Sequence, residues 1–284
     1  MKKNSIISAI VLMSLFSGCQ KDNIHNTDTD GQEFQIVTNV VSRSAVFAEN
    51  FKLLVDQEGV DMDYNVIMKN EEGVWKAYSD DNKNVRMKWK DALPVPVTAV
   101  YMQGNDDMVL DNEISDEIPS DQSASEFNIN DYDVLYYNNI ISDKETTLLI
   151  DFSHLLSEIQ VTSTPEGLPN GVTISSMRIS NLKTSYSWIP VQGLETYKVT
   201  GNPVDVTLKA DEGMFKCILP SQYIDGAELK VIYSDGTEQN QKFNSTTLAS
   251  GVSYDVTNFK YNAGVGAESL ARSLDNTLYL NMIK

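Results

Sequence analysis

Apolar and polar residues alternate with a period of two along most of the chain from Phe34 onward. The alternation is clearest in four runs, at residues 34–40, 148–152, 204–208 and 229–233. Successive side chains of a β-strand point to opposite faces, so this period predicts half-buried strands of antiparallel sheets. No long segment has the apolar period of an amphipathic helix, and the best helix candidate is the short stretch 266–274. The pattern predicts an all-β fold.

Turn residues separate the alternating runs and divide the chain. Glu212-Gly213 and Ser234-Asp235-Gly236 lie between strand-like runs and predict hairpins. A stretch rich in Asp and Glu, at 106–133, has few strand signals and predicts a long acidic loop, solvated rather than cation-binding. With roughly 100–200 residues per domain, the length suggests two domains or one large β architecture. We place the domain boundary after this loop, which gives β-sandwiches at 33–143 and 144–261.

The N-terminus has the pattern of an export signal. Lys2 and Lys3 precede an apolar run at 6–16, which is too short to span a membrane because a spanning helix needs about 20 apolar residues. Residues 1–18 are therefore predicted to be a signal peptide, and Ser17-Gly18-Cys19 resembles the lipobox of bacterial lipoproteins. In that interpretation Cys19 carries a diacylglyceryl thioether that anchors the protein in the outer membrane. The alternative is an ordinary secretory signal followed by an incidental cysteine.

A polar tether follows at 19–32. It lacks an apolar period, which is typical of a flexible linker. Its opening, Gln20-Lys21-Asp22, resembles the signal that sends lipoproteins to the outer face of the outer membrane in some Gram-negative anaerobes. The alternative is that the acidic residues belong to an ordinary tether and carry no sorting signal.

Charge and composition narrow the classes of function. The chain has 22 Lys and Arg against 40 Asp and Glu, a net charge of −18 that becomes more negative when the signal peptide is removed. Such a charge repels phosphate backbones and anionic membrane surfaces, which excludes nucleic acid as the main partner. A hydrophobic content of 41% with 13 Tyr and 9 Phe is enough for packed cores.

Catalytic and metal-binding signatures are scarce. His154 has no partner at metal-ligand spacing and is predicted to be a structural hydrogen-bonding residue, and Cys217 is predicted to be buried. Asp61, Asp63, Asn65 and Glu72 match positions of an EF-hand calcium loop, but Val66 replaces the required glycine and the segment resembles a strand. We therefore expect no catalytic residues, no cofactor and no metal.

Several segments together resemble the fimbrillin-like proteins of Gram-negative anaerobes. The stretch 147–159 is similar to the strand that opens the C-terminal domain of this family, and 133–137 to the element that precedes it. Trp89 and residues 97–101 resemble first-domain features of the family. The closing strands are matched at 218–222, 229–233 and 248–254. The resemblance spans most of the mature chain in the right order.

This resemblance implies two tandem transthyretin-like β-sandwiches with Greek-key antiparallel sheets, exported as a surface lipoprotein. Such subunits build fimbriae by strand exchange with other fimbrial subunits. In stalk subunits a protease cuts after a basic residue and releases the N-terminal strand. The candidate here is the bond between Arg43 and Ser44, whose cleavage would remove the alternating strand at 34–40.

The C-terminal tail at 262–284 supplies a candidate donor strand. Leu278, Leu280 and Met282 alternate on one face and could fill the groove of a neighbouring subunit. The alternative is that this run closes its own second domain.

The resemblance therefore favours a non-enzymatic subunit of a cell-surface fimbrium that supports adhesion to host or bacterial surface receptors. The alternative is a glycan-binding surface lipoprotein of a polysaccharide-uptake system, in which aromatic rings stack on sugars. Exposed pairs of tryptophans would favour the alternative, and burial of Trp75, Trp89 and Trp188 would favour the fimbrial subunit.

Overall fold

The computed structural model of the protein describes residues 31–40, 50–57, 63–89, 94–104, 107–262 and 277–283. These residues form an all-β structure with one short helix, α1 (Ile129–Tyr132), and one 3-10 helix (Pro190–Thr196). The strands are β1 Gln32–Glu33, β2 Gln35–Val40, β3 Asn50–Val55, β4 Tyr64–Glu71, β5 Val74–Tyr78, β6 Asn84–Val85, β7 Lys88–Trp89, β8 Val95–Met102, β9 Ile114–Glu117, β10 Val134–Ile141, β11 Thr147–His154, β12 Ser157–Thr162, β13 Ile174–Leu182, β14 Ser185–Trp188, β15 Lys198–Thr200, β16 Val204–Thr207, β17 Lys209–Asp211, β18 Met214–Leu219, β19 Tyr223–Ile224, β20 Glu228–Tyr233, β21 Glu238–Lys242, β22 Thr246–Thr247, β23 Ser253–Thr257 and β24 Tyr279–Met282. The helix expected at 266–274 lies outside the described residues.

The N-terminal half is built on one eight-stranded sheet. Its strand order is β2-β11-β10-β8-β3-β4-β5-β6, and every pairing is antiparallel except that of β2 with β11. Side chains from β2 and β11, at one end of this order, pack into the same core as side chains from β5, near its other end. The indole N–H of Trp75 on β5 donates to Thr38 Oγ1 on β2 at 3.0 Å. The sheet therefore curves around its core and brings its opposite ends together.

The C-terminal half is a sandwich of two sheets. A five-stranded sheet, β17-β18-β12-β23-β24, faces a four-stranded sheet, β16-β13-β20-β21, and the inward side chains of both share one core. The predicted hairpins are confirmed. Asp211 pairs with Met214 across Glu212-Gly213, where both turn residues have positive φ as a two-residue hairpin loop requires. Residues 234–237, which include the predicted turn at 234–236, connect β20 to β21.

The acidic stretch 106–133 is more ordered than the sequence analysis predicted. The described part of it, from 107 onward, contains β9 and α1, and β9 pairs with β14 of the C-terminal half. Leu110, Ile118 and Phe127 are buried in a third core that joins the two halves. The prediction of a long loop was wrong. The few apolar residues that pack inward are widely spaced among many acidic residues, so they produce no clear period in the sequence.

The strand β11 lies in the N-terminal sheet. The sequence analysis begins the second domain at residue 144, whereas β11 pairs with β2 and β10 in the structure. Only Leu155 and Leu156 separate β11 from β12, the central strand of the five-stranded sheet, and both are buried in the third core. The chain therefore passes from one sheet to the other at residues 155–156, later than the predicted boundary.

Candidate functional site

The sequence analysis proposed an N-terminal strand and a C-terminal tail for strand exchange, and in the structure these correspond to the edge strands β2 and β24. The strand β2 ends the eight-stranded sheet, and β24 ends the five-stranded sheet. An edge strand can be exchanged because only one of its sides is paired within its own sheet. These two strands are the candidate site for contacts between subunits.

The strand β2 is bound along its whole length to β11. The parallel register runs from Gln35 opposite Thr147 to Val40 opposite Phe152. The backbone N–H of Gln35 donates to the carbonyl of Thr146 at 2.9 Å and extends the pairing by one residue. This ladder satisfies the backbone of β11, so removal of β2 would leave that side of β11 unpaired.

Alternate side chains anchor this N-terminal segment in the core. Ile36 and the preceding residue Phe34 are buried, and the Phe34 ring stacks on Trp89 with ring centroids 4.1 Å apart. Val37, which points to the opposite face, is exposed. Burial of an apolar side chain contributes roughly 1.5–3 kcal/mol, so these anchors hold the segment firmly.

The groove beneath this segment is strongly apolar. Its wall on β11 consists of Leu148, Ile150 and Phe152, all of which are buried. Trp89 continues the apolar surface beneath Phe34. Without residues 34–40 the protein would expose a trough of apolar side chains beside an unpaired strand edge. A strand with alternate apolar residues would satisfy both the trough and the edge.

The strand β24 closes its own C-terminal sandwich in the single chain. It pairs antiparallel with β23, with Tyr279 opposite Thr257 and Met282 opposite Tyr254. The preceding Leu278 is fully buried, and its backbone bonds to Lys242 and Asn244, each at 2.8 Å. In the single chain this run therefore closes its own second domain, which is the alternative that the sequence analysis gave for the tail.

The three candidate donor residues are held unequally. Leu278 is 0% exposed, Leu280 packs against the edge of the core, and Met282 is 69% exposed. The end of β24 therefore presents a large apolar side chain that its own domain does not cover. Burial in a second copy would remove that side chain from water.

The predicted processing and lipidation residues lie outside the described residues. Arg43 and Ser44 belong to the segment 41–49 that connects β2 to β3, and Cys19 precedes the first described residue. The position of 41–49 is nevertheless informative. A cut there would separate β2 from the rest of the sheet in sequence and leave β3 intact.

The tryptophans are packed inside the protein. Trp89 and Trp188 are fully buried, and Trp75 is half-buried against the N-terminal core. The test set out in the sequence analysis therefore favours the fimbrial subunit over a glycan-binding surface built from tryptophans.

His154 has the structural role expected from the sequence. Its ring Nδ1 lies 2.5 Å from Asp133 Oδ2, and the pair connects the start of β10 to the end of β11. Cys217 is buried as predicted, and burial raises the pKa of its thiol, which keeps it protonated and unreactive.

The described residues show neither a metal-ligand cluster nor a membrane-spanning helix. Those ranges contain no group of three or more His, Cys, Asp or Glu residues arranged to hold a metal ion. The EF-hand match at 61–72 falls largely on strand β4, as the sequence analysis favoured. Within the same ranges, no helix has the length and apolar character needed to span a membrane.

A model of the fimbrillin-like family matches residues 29–270. A search of curated protein sequences gives no match.

Two solved structures share the fold. A candidate cell adhesion protein of Bacteroides ovatus ATCC 8483 superposes with a TM-score of 0.59 at 16% identity, covering 80% of this chain and 92% of that one. A candidate cell adhesion protein of Bacteroides uniformis ATCC 8492 gives 0.57 at 15% identity, covering 80% and 91%. At this identity the likeness establishes the fold.

Proposed function

Because the chain belongs to the fimbrillin-like family, we propose that it is a structural subunit of a cell-surface fimbrium that assembles by exchange of edge strands. The fimbrial type of this family supports a structural role at the cell surface, in association with other fimbrial subunits. The family resemblance noted from the sequence is thereby confirmed.

The pairing of β2 carries the proposal of strand exchange. This strand lies at a sheet edge, fills an apolar groove with alternate side chains and is followed at 41–49 by the segment that contains Arg43 and Ser44. Cleavage between these two residues would release β2 and leave the groove for a strand from another subunit. Main-chain hydrogen bonds would supply affinity, and alternate side chains would set the register.

The tail at 262–284 is the proposed donor. Leu278, Leu280 and Met282 repeat the alternation of Phe34 and Ile36, which occupy the groove in the single chain. The donor must first leave its own domain, where four of its residues pair with β23 at the edge of the sheet and Leu278 is buried. The cost of detachment is offset when the same side chains enter the groove of the next subunit.

Export as a lipoprotein completes the proposal. A lipid on Cys19 and the tether at 19–32 would hold the subunit at the outer membrane while the folded part faces outward. Acyl chains contribute about 0.8 kcal/mol for each buried CH₂ group, so more than one chain gives a stable anchor. The acidic surface makes electrostatic attraction to lipid head groups unsuitable as the anchor.

Replacing Cys19 by Ala should abolish lipid attachment. We expect labelled palmitate to be incorporated into the wild-type protein and lost from Cys19→Ala, and the variant to leave the membrane fraction. Cys217→Ala is the matched control. Because Cys217 is buried and is not the proposed lipidation site, this variant should still incorporate palmitate. Labelled, membrane-bound Cys19→Ala protein would refute the lipoprotein proposal.

A further inference from the structure

A second surface feature is lined by residues of the C-terminal half. The loops after β13 and β15 and the segment around β19 surround a cavity of about 460 Å³. Its lining includes Lys183, Pro203, Tyr223 and Asp225. Small-molecule sites have volumes of roughly 300–1,000 Å³, so the cavity is large enough for a ligand.

Hydrogen bonds between the loops hold the wall of this cavity in place. The side chain of Gln222 accepts from the backbone N–H of Lys183 at 3.0 Å and donates to the Lys183 carbonyl at 2.8 Å. Asn181 Nδ2 donates to the Asp225 carbonyl at 2.7 Å, and Ser245 Oγ donates to Asp225 Oδ1 at 2.5 Å. The backbone at Lys183 and the carboxylate of Asp225 are therefore held in place before any ligand arrives, which lowers the entropy cost of binding.

Two polar groups of the cavity have no partner among the described residues. The Lys183 ammonium and the Tyr223 hydroxyl make no hydrogen bond or ion pair there. Tyr223 is also 64% exposed, whereas the tyrosines of the two cores are mostly buried. Large aromatic rings are usually buried, so a ring exposed to water beside a cavity offers a flat apolar surface that a ligand can cover.

The chemistry of the cavity suits a neutral sugar. The ring face of Tyr223 can pack against the C–H face of a pyranose, while Lys183 donates to ring hydroxyls and Asp225 accepts from them. The two side chains carry opposite charges, and the chain as a whole carries −18, so a polyanionic ligand would be repelled at longer range.

We propose that this cavity is a binding site for a neutral pyranose, with Tyr223 as the stacking platform and Lys183 and Asp225 as the hydroxyl-binding groups. The site goes beyond the proposed assembly role, because neither β2 nor β24 contributes to it. It would give a surface-exposed subunit a means of contacting glycans directly.

The test measures binding of the full mature chain to a glycan microarray. The array carries neutral hexose and N-acetylhexosamine oligosaccharides together with sialylated and sulfated glycans. We expect at least one neutral glycan to bind and Tyr223→Ala to weaken that binding by about tenfold or more. Tyr223→Phe keeps the ring and should bind within about threefold of wild type. Lys183→Ala should also weaken binding, whereas Lys198→Ala, a change at an exposed lysine on β15, should not.

Three results would overturn the proposal. These are the absence of binding to every neutral glycan on the panel, equal binding by wild type and Tyr223→Ala, and binding restricted to the anionic glycans. Polymer formation is measured on the same variants and should stay unchanged. Failure of the sugar site and failure of the assembly proposal are therefore distinguishable.

Discussion

Replacing Met282 by Asp should block polymer formation while the folded monomer keeps its stability. Met282 is 69% exposed in the single chain, and substitutions at such positions change the free energy of unfolding by about 0.5 kcal/mol or less. In a donated strand the same side chain would lie in the apolar groove. A carboxylate buried there without a partner costs several kilocalories per mole, which corresponds to a loss of affinity of about 100-fold or more.

Ile283→Asp is the matched control for this experiment. Ile283 is the next residue and is also exposed, and its backbone N–H donates to the Ser253 carbonyl at 2.9 Å. In an extended donor strand, alternation would place it on the face opposite to Met282. We expect Ile283→Asp to polymerise as wild type does. Urea denaturation of the monomers and sedimentation of the polymers measure the two effects separately. Equal polymerisation by both variants would contradict the assignment of the donor face.

A chain that begins at Ser44 should be much less stable as an isolated monomer than a chain that begins at Cys19. The shorter chain lacks Phe34 and Ile36, and burial of two such side chains contributes roughly 3–6 kcal/mol at about 1.5–3 kcal/mol each. It also lacks the ladder between β2 and β11. Because proteins of this kind are stable by only about 5–15 kcal/mol, the loss should be visible as a large fall in the urea midpoint.

A synthetic peptide of residues 277–284 should restore part of this stability by binding in the empty groove. The same peptide with Asp in place of Met282 is the control and should restore much less. A Ser44 chain with the denaturation midpoint of the longer chain would show that β2 does not complete the N-terminal core. Such a result would remove the physical reason for strand exchange.

The sequence predicted local structure well and pairing over long distances poorly. Alternation located β2, β11 and β20, because apolar residues at every second position of a strand indicate which face is buried. It could not show that β2 pairs in parallel with β11, since Gln35 and Thr147 are more than 100 positions apart. For the same reason the sequence could not show that β11 pairs with both β2 and β10.

Only part of the candidate site could be predicted from the sequence. The family resemblance pointed to the N-terminal strand and the C-terminal tail, and the structure adds that both lie at sheet edges. The contacts of Phe34 with Trp89 and of Trp75 with Thr38 carry no sequence signal, because each joins residues that are distant in the chain. Tyr223 was also missed, since nothing in its neighbourhood of the sequence distinguishes an exposed tyrosine from a core one.

The most direct test of strand exchange is electron microscopy and unboiled denaturing gels of surface-shed material from wild type and Arg43→Ala. The account predicts filaments and a ladder of denaturant-resistant oligomers for wild type, with N-terminal sequencing of the oligomers starting at Ser44. For Arg43→Ala it predicts unprocessed monomers that keep the N-terminal strand. Monomers from both strains, or oligomers whose subunits start at Cys19, would contradict it.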